Sequence, residues 1–117
     1  MLSRRIAEGL GNALVAPVIA YVPEGGYAPP TSHMRFPGTI TVPDDVFERT
    51  LESAAHSFKI HGFVNIVFLG DHGGYQDDIK CVVARLNRPW THVVIQKCRR
   101  HRHRVISAWF PRRYELS

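Results

Sequence analysis

"HGFVNIVFLGDHGGYQDD", residues 61–78, decides the fold. Phe63 to Leu69 form an almost continuous apolar run without proline, the pattern of a central strand whose two faces are both covered by helices. Gly70 to Tyr75 then turn the chain, and Ile79, Val82, Val83 and Leu86 recur on one side of a following helix. On the other flank, Pro43 suits the first helical position and Asp44 and Asp45 suit a positive helix end. Phe47, Leu51, Ala54, Ala55 and Phe58 share one face of that helix before Gly62 supplies a stop. The helix face needs a sheet, and the apolar run provides one.

Further out, "THVVIQ", residues 91–96, reads as another strand. Residues 3–11 predict a short helix with Ile6 and Leu10 four apart. "LVAPVIAYV", residues 14–22, predicts a strand in which Pro17 lacks a ladder donor and demands an edge position or an irregularity. Between this strand and Pro43 lies "PEGGYAPPTSHMRFPGTITV", where four prolines and three glycines preclude a regular helix and favour a shaped loop. The resulting order is helix, strand, long loop, helix, strand, helix, strand, which predicts an α/β layer architecture with right-handed crossovers. Three strands leave the first helix short of sheet to pack on, so a strand is expected upstream.

At 117 residues and 44% hydrophobic composition the chain is sized for a single core. Pro17, Pro23 and Glu24 interrupt the most apolar early stretch, excluding a membrane span there. Glu8 and Gly9 likewise break the apolar run that an export signal needs, so cytoplasmic residence is expected. Cys81 and Cys98 lack neighbours at metal-ligand spacing and read as free thiols, with Cys81 buried in its helix. Seven of the fifteen Lys and Arg lie in residues 97–117 against Glu115 alone, so the basic character belongs to the tail. Trp109 and Phe110 stand among those cations, yet a charged end is ordinarily just solvated, and nucleic-acid binding is not the expected role.

Chemistry is concentrated at "DHGG". In open α/β sheets, sites lie beyond the carboxyl ends of strands, beside helix amino termini. Asp71 and His72 are donors suited to a divalent metal, and Gly73 and Gly74 admit close backbone approach. The competing reading is a plain turn in which Asp71 caps backbone groups. There is no phosphate-cradling lysine motif and no serine nucleophile elbow. His33 lies in the long loop, where it either reaches a site or ties the loop together. His56 and His61 belong to a helix and its end, and His101 and His103 alternate with arginines, which makes them poor metal ligands.

Taken together, "MRFPGTITV" and "HGFVNIVFLGDHGGYQDD" resemble the creatininase (creatinine amidohydrolase) family over about residues 3–88. The resemblance implies a three-layer α/β core with a mostly parallel sheet and a divalent metal, zinc or manganese. It also implies hydrolysis of non-peptide carbon–nitrogen amide bonds in a small substrate. By motif His72 is a metal ligand and Asp71 the adjacent candidate, although the family commonly has glycine at that preceding position. Gly74 stands where creatininase carries a liganding glutamate. His33 precedes "FPGTI" and is the expected catalytic candidate together with Glu24, with Tyr27 behind them. The family's "GSxEqHGpHLP"-like ligand segment has no counterpart here, and residues from Ile95 onward resemble nothing in the family. The expectation is therefore a core truncated at both ends: residues 1–96 a partial creatininase-like domain and 97–117 a basic tail. Independent activity is expected to be impaired. The alternative is a degenerate interaction module that forms homo-oligomers through an exposed sheet edge.

Overall fold

The computed structural model describes residues 2–70, 73–90, 93–97 and 106–111. The described residues form three α-helices, α1 (Leu2–Leu10), α2 (Asp44–Ile60) and α3 (Gln76–Asn87), and four strands, β1 (Leu14–Val15), β2 (Phe63–Gly70), β3 (Val93–Lys97) and β4 (Ile106–Pro111). They form one α/β unit with sheet order β1-β4-β2-β3. β2 is central, as its apolar run requires, and pairs parallel with β3, from Ile66 opposite Val93 to Gly70 opposite Lys97.

The other pairings differ from expectation. β4 runs antiparallel to β2, with Ile66 opposite Trp109, and antiparallel to β1, with Leu14 opposite Trp109. Among the described strands there is one parallel pairing and two antiparallel ones, so the expected mostly parallel sheet is not what they form. The cause is the tail. Its segment Ile106–Pro111 returns into the sheet and inserts between β1 and β2. In "ISAWFP" the β-prone Ile106, Trp109 and Phe110 are diluted by Ser107, Ala108 and Pro111 and disguised by the surrounding arginines and histidines. The boundary drawn at residue 96 accordingly falls inside β3, and the sheet continues beyond it. β1 is shorter than the nine residues read as a strand; it stops at Val15, before Pro17, and lies at the sheet edge.

α2 and α3 cover one face of β2. Phe47, Leu51 and Ala55 of α2 and Ile79, Val82, Val83 and Leu86 of α3 pack with Ile66 and Phe68 in one buried cluster. Fully burying a side chain of this kind contributes roughly 1.5–3 kcal/mol, so this layer holds the unit together. The opposite face of β2 is covered unevenly, with Asn65 exposed, Val67 half-buried and Leu69 buried. α2 ends as its sequence demands: His61 closes the helix and Gly62 takes φ +89°. Arg85 of α3 reaches Glu48 and Glu52 of α2 at 2.6 and 2.5 Å, tying the two helices along their exposed side.

Candidate functional site

The loop between β1 and α2 is shaped by two threonines. Thr41 Oγ1 accepts the backbone N–H of Glu24 at 2.8 Å and donates to the carbonyl of Gly25 at 3.1 Å. Thr31 Oγ1 accepts the N–H of Gly26 at 2.8 Å, and the Thr31 N–H donates to the Gly26 carbonyl at 3.2 Å. At the base of the loop the Val42 N–H meets the Val22 carbonyl at 3.4 Å. Gly25 has φ +126°, and a Cβ built there would stand 2.1 Å from the Thr31 carbonyl oxygen, so no other residue fits. Ser32, at φ +49°, begins a single tight turn, Ser32–Arg35, which is closed by the Met34 N–H on the Thr31 carbonyl.

These contacts bring together the two residues expected to be catalytic. His33 Nδ1 lies 2.7 Å from Glu24 Oε2, with the His33 side chain 48% and the Glu24 side chain 20% exposed. An ionised carboxylate only accepts hydrogen bonds, so this contact selects the tautomer with the proton on Nδ1. A carboxylate oriented on an imidazole in this way is an arrangement for moving protons. Tyr27 contributes a backbone bridge to Pro30 and leaves its ring exposed.

The other expected site follows β2. Asp71 and His72, the expected metal donors, lie outside the described residues. Their flanks are defined: β2 ends at Gly70, and Gly73–Tyr75 form a short turn into α3. A Cβ at Gly70 would stand 2.8 Å from Gln76 Nε2, 2.9 Å from Ile79 Cδ1 and 3.0 Å from Tyr75 Cε2. By contrast, no protein atom lies within 4 Å of a Cβ built at Gly73. Among the described residues no three His, Cys, Asp or Glu stand close enough to share a metal ion.

Beside this turn is a carboxylate group that linear reading missed. Asp78, in the first turn of α3, has its carboxyl pushed up to about 6 by burial and then by the charges of Asp44, Glu48 and Asp77. The cluster forms only when α2 and α3 pack, which is why no local motif announces it. Arg85 is raised by its hydrogen bonds to Glu48 and Glu52. Cys81 is exposed rather than buried, since it occupies the outer side of α3 while Val82 and Val83 face the core. The His56 ring meets Trp90 edge-on at 4.7 Å, a packing contact. Cys98, His101 and His103 lie outside the described residues.

A family model for creatininase, creatinine amidohydrolase, matches residues 1–115. The chain belongs to the creatininase family. No curated protein and no solved structure matches it. The creatininase match extends past residue 88 through the basic tail, beyond the span over which the resemblance was expected. This agrees with β4 being a strand of the sheet. Creatininase-family membership supports amidohydrolase-like activity. No described helix is long and apolar enough to cross a membrane. Thr31, Thr41 and Gly25, which build the pair, escaped the sequence reading. The signal for them was Glu24 followed by two glycines, with a threonine in the middle of the loop and another near its end.

Proposed function

We propose that this chain is a creatininase-type amidohydrolase acting on a non-peptide carbon–nitrogen amide bond of a small substrate, with slow turnover by itself. The observation that supports it is the Glu24–His33 pair at 2.7 Å, held by a loop in a chain that the creatininase family matches almost throughout. In amide hydrolysis a base takes the proton from water as it adds to the carbonyl carbon. An acid then returns a proton to the nitrogen as the carbon–nitrogen bond breaks, leaving a carboxylate and an amine. His33 Nε2 performs both transfers, and Glu24 balances the imidazolium charge through Nδ1–H. A divalent metal, zinc or manganese, would polarise the carbonyl and acidify water when bound. His72 and Asp71 are the donors proposed for it. Among the described residues no further three-donor set stands beside them. A three-layer core and cytoplasmic residence belong to the same proposal, the former supported by the helix-covered Ile66 and Phe68 face.

The test is amine release by the pure chain from a panel of cyclic and linear amides, with zinc or manganese added. His33→Ala is expected to lower the rate roughly 100-fold. Unchanged turnover in that variant would remove His33 from the chemistry. A second reading, a non-enzymatic module that forms homo-oligomers, is favoured by the exposed side chains of Leu14 on the edge strand and of Tyr21 and Ile40. Sedimentation showing one monomeric species at every concentration would end it.

A further inference from the structure

We propose that Thr41 is the positioning residue of the Glu24–His33 pair, fixing the imidazole proton on Nδ1 and so making Nε2 the nitrogen that meets the amide. The inference rests on the amidohydrolase reading for the last step only. Its basis is geometric. Glu24 and His33 are nine residues apart, at opposite sides of a loop whose tip, Tyr27 to Pro30, is exposed and joined by one backbone bridge. Neither residue belongs to the hydrophobic cluster, and a pair of hydroxyl clamps shapes the loop between them.

On the histidine side, Thr31 sits immediately before the tight turn that carries His33, and its hydroxyl holds Gly26. On the glutamate side, Thr41 holds both the amide before the Glu24 side chain and the carbonyl of the next residue, at 2.8 and 3.1 Å. The two contacts grip the peptide units on either side of the Glu24–Gly25 peptide, so they restrain the course of the backbone through both residues rather than a single distance. Thr41 is itself anchored, because the next residue bonds Val22, a buried member of the core. The chain of constraint therefore runs from the core through Val22 and Val42 to Thr41, then to the Glu24 backbone, and from its carboxylate to Nδ1. Free histidine in water favours the proton on Nε2, so an Nδ1–H ring is a signature of the carboxylate being in place. A ring that swings or changes tautomer would still bind substrate in the same loop but would offer it an N–H where a base is needed.

The experiment compares the full chain with Thr41→Val and Thr41→Ser by nitrogen-15 chemical shifts of the His33 ring above neutral pH, and by kcat and KM on the amide turned over fastest. Thr41→Val keeps the shape and removes the hydroxyl; Thr41→Ser keeps the hydroxyl. The expected result is an Nδ1–H ring in the parent, a shift toward Nε2–H in Thr41→Val, and recovery in Thr41→Ser. kcat should fall roughly tenfold in Thr41→Val, with KM within about twofold, because orientation and not binding is lost. Should the valine variant not fold, Thr41→Ala supplies the same comparison. An Nε2–H ring in the parent, or an unchanged tautomer without the hydroxyl, overturns the positioning role. A tautomer shift in a protein that hydrolyses no amide keeps Thr41 in that role and rejects the amidohydrolase reading instead.

Discussion

The strand end at Gly70 and the loop around Glu24 both depend on a glycine that no other residue can replace without cost, but for opposite reasons. At Gly70 the obstacles are the ends of three side chains from Tyr75, Gln76 and Ile79, two of them members of the main hydrophobic cluster. At Gly25 the obstacle is a backbone carbonyl, and φ is +126°. The first region is held by the core, so its geometry and the protein's stability are one quantity. The second is held by three hydroxyl hydrogen bonds and a few backbone ones on a loop with little buried surface, so its geometry can be lost while the core stays folded. Site precision and global stability are thus separable in the loop and inseparable at the strand end.

The largest expected effect tests the strand end. Gly70→Ala should lower stability by about 2 kcal/mol, the ordinary result of forcing a methyl into a packed interior, partly offset by the stiffer unfolded chain. The midpoint of urea unfolding should fall with an unchanged slope. A loss below about 0.5 kcal/mol would mean that Gln76 and Ile79 swing aside freely and that this end is no better packed than the loop.

A smaller effect belongs to the same region and depends on pH. The Asp78 carboxyl is raised from 3.8 to about 6, so between those values the folded protein holds a proton that the unfolded chain has lost. Stability therefore falls as pH rises through that window, and the penalty is complete above about pH 6. A shift of that size corresponds to roughly 3 kcal/mol if fully realised, but the carboxyl is partly open to solvent and screened, which reduces it to ~1 kcal/mol. Asp78→Asn should accordingly be more stable than the parent by ~1 kcal/mol at pH 7.5, with the difference vanishing near pH 3.5. Equal stability at both pH values would show that favourable interaction with the amino terminus of α3 cancels the crowding by Asp44, Glu48 and Asp77.

The strand end was legible in the sequence because local pattern and packing agree there. The run Phe63–Leu69, the α3 stripe at Ile79, Val82, Val83 and Leu86, and the α2 stripe at Phe47, Leu51 and Ala55 all fall where periodicity places them. β4 was hidden because a strand of six residues has little periodicity to show, and charge dominates the segment around it. The pairing of Glu24 with His33 was half legible: both residues were candidates, but their contact depends on Thr41, seventeen residues from Glu24, and on a backbone angle at Gly25 that composition does not encode. The Asp78 cluster required knowing that α2 and α3 lie side by side. In each case the missing information is long-range.

The smallest expected change in stability is the one that separates the two regions most sharply. Gly25→Ala cannot keep the loop as it is, since its Cβ would overlap the Thr31 carbonyl and its φ is one that alanine avoids. A buried segment with that conflict would be strongly destabilised. Here the cost is limited by the free energy of opening the loop, because Gly25 lies outside the hydrophobic cluster and the loop can rearrange while α2, α3 and β2 remain packed. The expected loss of global stability is therefore less than about 1 kcal/mol, accompanied by complete loss of the Nδ1–H signature of His33. Proteolysis should also accelerate within residues 23–42 without a matching fall in the unfolding midpoint. If Gly25→Ala instead lowers the midpoint as much as Gly70→Ala does, the loop is part of the cooperative core, and the hydroxyl clamps then report on folding as much as on the placement of Glu24 against His33.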